Sequence, residues 1–102
     1  MAVLDVGSDE FQSEVLEHEG ETVFVDFWAP WCGPCKAVAP LFNTLSGEVE
    51  AKFVKVNIEN NQEIAAQFNI RSIPTFLAIR DGEVVDTMIG SQGVDSFIDD
   101  NL

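Results

Sequence analysis

The sequence predicts one α/β domain with a mixed β-sheet, and three observations carry that prediction. Strand-like and helix-like stretches alternate along the 102 residues in the order βαβαβαββα, which puts a central five-stranded sheet between four helices. Residues 22–28 (TVFVDFW) are apolar apart from Thr22 and Asp26, as in a strand covered on both faces. Asp81-Gly82 lies between two strand patterns and marks a tight hairpin. The last two strands are therefore antiparallel, whereas helical crossovers make the earlier ones parallel. No repeat, linker or low-complexity stretch divides the chain, so residues 1–102 are expected to form a single domain.

Each element has its own justification. Residues 2–6 (AVLDV) read as a short strand. Ser8 is placed to cap a helix whose first turn holds Asp9 and Glu10, the charge that suits a helix N-terminus. Phe11, Val15 and Leu16 give this helix an apolar stripe that stops before Gly20. After the buried strand 22–28, a helix is expected from about Pro34 to Leu45, with Ala37, Val38, Leu41, Phe42 and Leu45 inward. Pro40 should kink it, and Gly47 should end it. Strand 51–58 (AKFVKVNI) follows, then a helix through Phe68 opened by a capping-box pattern of Asn60 and Glu63. Ile73-Pro74 leads into strand 75–80 and the hairpin into strand 83–89. A final helix from about Val94 turns Val94, Phe97 and Ile98 inward.

With 46% hydrophobic and 23% charged residues, the chain has an ordinary globular balance. One core can hold a domain of this size without covalent staples, so its two cysteines need another explanation. Eighteen Asp and Glu oppose five Lys and Arg, a net charge of −13. That excludes the cation-rich surface a nucleic-acid binder needs and disfavours an anionic membrane surface. The excess sits at the two ends. Residues 1–21 hold seven acids and residues 81–102 hold six, with no Lys or Arg in either, and five acids balance five bases between them. A dense acidic surface suits a high-salt cytoplasm, since it keeps a protein soluble when charges are screened. The start MAVLDVG lacks a basic leader region, and no apolar run approaches a membrane span. A cytoplasmic location is expected. Paired cysteines there are more often catalytic or metal-binding than structural.

The chemistry concentrates in Trp28-Ala29-Pro30-Trp31-Cys32-Gly33-Pro34-Cys35-Lys36, where a buried strand gives way to a helix. Cys32 falls just before that helix and Cys35 in its first turn, close enough to join in a disulfide. Free N–H groups and the positive end of the helix dipole stabilise a thiolate at Cys32. Pro34 suits the first helical position, where its missing N–H has no partner to lose. A zinc site is the competing chemistry. Two cysteines supply only half of a four-ligand set, and the remaining candidate, His18, is on a distant helix. No metal is expected within one chain.

The run FWAPWCGPCK from Phe27 to Lys36 resembles the active-site signature of the thioredoxin family, and the likeness extends over nearly the whole chain. Asp26 matches that family's buried carboxylate, Lys55 the lysine near it, and Pro40 the proline within the second helix. Ile73-Pro74-Thr75 matches the loop whose proline is cis, and Asp81-Gly82 and Gly90 match the hairpin turn and the glycine beside the site. Ser72 and Ser91 stand where relatives often have smaller residues, a difference that bears on partner choice.

The resemblance implies a thioredoxin fold and a general protein disulfide reductase. Cys32 would attack a target disulfide and Cys35 would resolve the mixed disulfide, leaving Cys32–Cys35 oxidised as the redox-active group, with no bound cofactor. Asp26, an acid inside an apolar strand, should have a raised pKa and carry a proton near neutrality; it is expected to accept the Cys35 proton, with Lys55 opposing the shift. Trp31, Gly33, Pro34, Ile73, Gly90 and Ser91 would form a flat docking patch around Pro74, where the Ile73 backbone pairs with an extended substrate. Trp28 has packing and a direct role as equal readings. Gly33-Pro34 lacks the histidine that makes oxidising relatives such as protein disulfide isomerase oxidants, which favours the reductase over an oxidase or isomerase. A further class, a non-redox subunit of another enzyme, stays open. The chain has no GxGxxG and no flavin signature, so a separate thioredoxin reductase, linked to NADPH or ferredoxin, is the expected electron source. A monomer is expected, since no long apolar face is left over.

Overall fold

A computed structural model of the chain describes residues 3–102. The expected five strands and four helices form, in the order β1 (Leu4–Asp5), α1 (Ser8–Phe11), β2 (Val23–Trp28), α2 (Gly33–Ser46), β3 (Lys52–Asn57), α3 (Gln62–Gln67), β4 (Thr75–Arg80), β5 (Glu83–Ile89) and α4 (Val94–Asp100). The sheet order is β1-β3-β2-β4-β5. The pairs β1–β3 and β3–β2 are parallel, as the helical crossovers predict, and β4–β5 is the antiparallel hairpin. Strand β4 corrects the crossover expectation, since it follows α3 yet runs antiparallel to β2. Side chains alternate across each strand, so β2 feeds two cores. Val23, Val25 and Phe27 pack with Phe11, Val15 and Ile64 from α1, the turn after it and α3. Phe24 packs on the other face with Val38 and Phe42 of α2 and Val94, Phe97 and Ile98 of α4. Asp26 shares the parity of Phe24 and so lies on the α2 side.

Several local expectations are corrected. Of the expected strand 2–6, Ala2 lies outside the described residues and pairing is confined to Leu4–Asp5. The first helix starts at Ser8 rather than after it, with Gly7 as its cap. The Glu10 carboxylate accepts from the Gly7 N–H at 2.8 Å, and Ser8 instead reaches across to Asn61 and Glu63. The helix then runs on as a π-helical turn over Gln12–Leu16, which no apolar spacing had signalled. Asn61, not Asn60, caps α3. Its side chain is committed to the Ser8 N–H at 2.8 Å and the Asn57 carbonyl at 2.9 Å, so no capping box forms. In α2 the inward residues are Val38 and Phe42, with Leu45 half-buried; Ala37 and Leu41 face out. The aromatic pair Phe42–Phe53, 5.0 Å between centroids, joins this helix to β3.

Asp81 and Gly82 take the turn as expected, both at positive φ (51° and 85°), the pattern of a type I′ hairpin. Thr22, buried just before β2, donates from Oγ1 to the Asn101 carbonyl at 2.6 Å and pins the end of α4 to the sheet. Among the described residues no helix is long and apolar enough to cross a membrane.

Candidate active site

Strand β2 ends at Trp28, and the chain turns through Ala29–Trp31 into α2. Cys32 is the helix cap, in extended conformation, and Cys35 lies in the first turn. The two are joined in a disulfide with Cα atoms 5.3 Å apart. Pro34 is expected at the first helical position but occupies the second, after Gly33. The reasoning survives, because the second N–H of a helix also lacks an intrahelical acceptor. The Cys35 N–H donates to Cys32 Sγ at 3.2 Å, so a backbone donor and the helix dipole both converge on the sulfur where negative charge would develop. Cys32 is 6% exposed and Cys35 2%.

The sulfurs sit in a small cluster with Ala29, against which Trp28, Ile58 and Ile73 pack. Cys32 Sγ is 3.9 Å from the Ile73 carbonyl oxygen. The Ile73–Pro74 bond is cis. Pro74 is buried, and its carbonyl accepts from the Gly90 N–H at 2.8 Å, which ties the start of β4 to the end of β5 beside the disulfide. Gly33 and Pro34 are exposed and Ser91 half-exposed. Ser91 faces Ala37, Val38 and Leu41 across a shallow hollow of about 210 Å³. Trp31 is 65% exposed, yet its indole N–H donates to the Glu59 carboxylate. Sequence reading missed Glu59; an acid in the loop after β3 carries no signal until the fold brings it beside Trp31.

Asp26 lies in the middle of β2, opposite Lys55 in the parallel register and Phe76 in the antiparallel one. It is 4% exposed, and its Oδ1 has no hydrogen-bond partner among the described residues. Desolvation pushes its pKa up to about 7, against a smaller downward pull from Lys55. Lys55 Nζ also stands 5.1 Å from the centre of the Trp28 ring, a cation–π distance. Trp28 Nε1 is buried without a hydrogen-bond partner among the described residues. Trp28 thus links lysine and disulfide cluster by packing. His18, weighed as a ligand beside the two cysteines, instead pairs with Glu21 at 3.0 Å, and no group of three or more His, Cys, Asp or Glu among the described residues is placed to hold a metal ion.

A disulfide at a helix mouth, with a buried acid of raised pKa in the adjoining strand, on a mixed five-stranded sheet, defines the class of dithiol–disulfide oxidoreductases. Comparison with known proteins agrees. A sequence model of the Thioredoxin family matches residues 2–100. The chain is 45% identical to "Thioredoxin" of Haemophilus influenzae over 87% of its own length and 84% of the relative's. It is 44% identical to "Thioredoxin" of Bacillus subtilis over 88% and 86%. The crystal structure of reduced Schistosoma mansoni thioredoxin pre-protein superposes with a TM-score of 0.92 at 38% identity, all of each chain being covered. The chain belongs to the thioredoxin family. It is a protein-disulfide oxidoreductase that works by thiol–disulfide exchange through Cys32 and Cys35.

Proposed function

We propose that the protein is a general cytoplasmic reductant, passing two electrons from a separate reductase to disulfide-bonded target proteins. The observation that carries this reading is the Cys32–Cys35 disulfide at the mouth of α2, with the Cys35 N–H donating to Cys32 Sγ. In the reduced protein Cys32 is held as a thiolate by the Cys35 N–H and the helix terminus. It attacks one sulfur of the target disulfide; the Cys32–target bond forms and the other target sulfur leaves as thiolate. Cys35 then loses its proton to Asp26 and attacks Cys32 Sγ. The intramolecular disulfide closes, and the second target sulfur departs, so the target gains two electrons and this chain loses two. Lys55 tunes Asp26 from the neighbouring strand, and Ile73 and Pro74 with Trp31, Gly33, Pro34, Gly90 and Ser91 receive the target backbone. A thioredoxin reductase drawing on NADPH or ferredoxin restores the dithiol. The protein acts as a monomer.

Two measurements test this. A Cys35→Ser variant is expected to trap the mixed disulfide as a stable adduct with a disulfide-bonded substrate, and Cys32→Ser to trap none. Equilibration with dithiothreitol is expected to place the Cys32–Cys35 couple near the general thioredoxin figure of about −270 mV. A couple near the roughly −180 to −120 mV of isomerases and oxidases would send electrons the other way and end the reductant reading. Asp26 has its own test. Asp26→Asn should slow resolution of the mixed disulfide between pH 6 and 8, and an unchanged rate there removes Asp26 from the mechanism.

A further inference from the structure

On the α1/α3 face, helix cover stops short of the last two strands. The uncovered strip is a groove of about 300 Å³ with Leu77 of β4 for its floor and Val84 and Ile89 of β5 along one side. The segment after α3 closes the other side with Phe68, Ile70 and Arg71. Val84 is 44% and Ile89 69% exposed, so the apolar wall is open to a partner. The groove is continuous with the redox site. Ser72 and Thr75, which also line it, flank Ile73–Pro74, and Ile89 runs directly into Gly90.

Its charge is opposite to that of the molecule. Arg71 is the one charged residue of the lining, in a chain of net charge −13, and among the described residues it enters no ion pair. Asn69, held at φ 57° at the end of α3, accepts from Arg71 Nε at 3.1 Å. That contact orients the guanidinium and leaves its two terminal NH₂ groups for a planar acceptor such as a carboxylate. A groove with a cation and no carboxylate accepts the kind of segment the rest of the surface repels.

We propose that this groove is a specificity subsite for disulfide targets, taking an extended segment that carries a branched apolar residue and a carboxylate within about three residues of the attacked cysteine. Three extended residues span about 10 Å, within a strip that follows β5 from Val84 to Ile89. The proposal rests on the reductase reading above and extends it to the choice of target.

The test uses two peptides presented as mixed disulfides with glutathione, Glu-Val-Gly-Cys-Gly-Val-Glu and its counterpart with Lys for both Glu, so that either chain direction is sampled. Hydroxyethyl disulfide serves as a featureless substrate. The pre-reduced protein is compared with Arg71→Glu and with Arg80→Glu, which makes the same charge change at the far end of β4, outside the groove. The preference for the acidic over the basic peptide, read as the ratio of KM values, should fall about fivefold in Arg71→Glu and less than twofold in Arg80→Glu. Val84→Ser should raise KM for both peptides, and reduction of hydroxyethyl disulfide should be equal in all four proteins. Equal shifts in the two arginine variants would assign the preference to the overall field and overturn the subsite. So would a concentration-dependent dimer abolished by Val84→Ser, which would give the groove to a second copy. If the wild-type protein failed to reduce hydroxyethyl disulfide, the reductase reading itself would fall; with that activity intact, an unmoved ratio disproves the groove alone.

Discussion

Asp26 shows how a buried acid works against the stability of the protein that holds it. Its folded pKa is about 7 against an ordinary value of 3.8, so between those limits the folded state holds a proton that the unfolded state has released. Stability contributed by this group is therefore complete below about pH 4 and is lost as pH rises towards and through 7. The shift of about three units corresponds to at most about 4 kcal/mol. Urea unfolding of Asp26→Asn is expected to show a gain of about 2–4 kcal/mol over wild type at pH 8.5 and almost none at pH 3.5. An equal difference at both pH values would mean that the carboxylate is not desolvated as the structure indicates. The residue was legible in the sequence because an acid in TVFVDFW has no outward face to occupy. Glu59 was not, since its meaning comes only from the distant Trp31 indole.

At the scale of elements, the sheet's α2 side depends on a run of aromatic contacts. Phe42 packs on Phe53 at 5.0 Å and on Phe76 at 5.4 Å between centroids, and it is 2% exposed. Phe42→Ala should destabilise the fold by about 3–5 kcal/mol, read from the denaturant midpoint at unchanged slope. The hairpin makes a different demand. A Cβ at Gly82 would stand 2.9 Å from the Leu16 carbonyl oxygen, at φ 85°. Gly82→Ala should therefore cost more than the about 1–2 kcal/mol of left-handed backbone strain alone, with loss of amide protection along β4 and β5 in hydrogen exchange. Strands and the hairpin were readable because short apolar runs and Asp-Gly are local signals. The π-helical turn at Gln12–Leu16, the displaced caps at Gly7 and Asn61, and the outward Ala37 and Leu41 were not. Each is decided by what the element packs against: Ser8 and Asn61 satisfy one another across 53 residues, and no window of sequence contains both.

For the whole molecule, charge is the dominant global property. Lys52 binds Glu14 at 2.6 Å and holds its carboxyl below the usual range, but most of the eighteen acids have no such partner among the described residues. Self-repulsion at a net charge of −13 weakens the compact state and is screened by salt. The melting temperature is expected to rise by about 5 °C between 10 mM and 0.5 M NaCl, followed by circular dichroism. A fall over the same range would show that the acids are not in net repulsion and would count against adaptation to high salt.

The pairing of the two sulfurs at the mouth of α2 also bears on how the protein ages under peroxide. Oxidation beyond the disulfide begins at an accessible thiolate, and Cys35 is 2% exposed with the Cys32 sulfur beside it. If peroxide converts Cys32 to a sulfenic acid, the nearest thiol is Cys35. Condensation of the two releases water and returns the ordinary oxidised form, which any round of re-reduction clears. The geometry that hurries a target off the enzyme thus also keeps the reactive sulfur from advancing to sulfinic acid, so oxidant injury is diverted into a state the protein visits on every turnover.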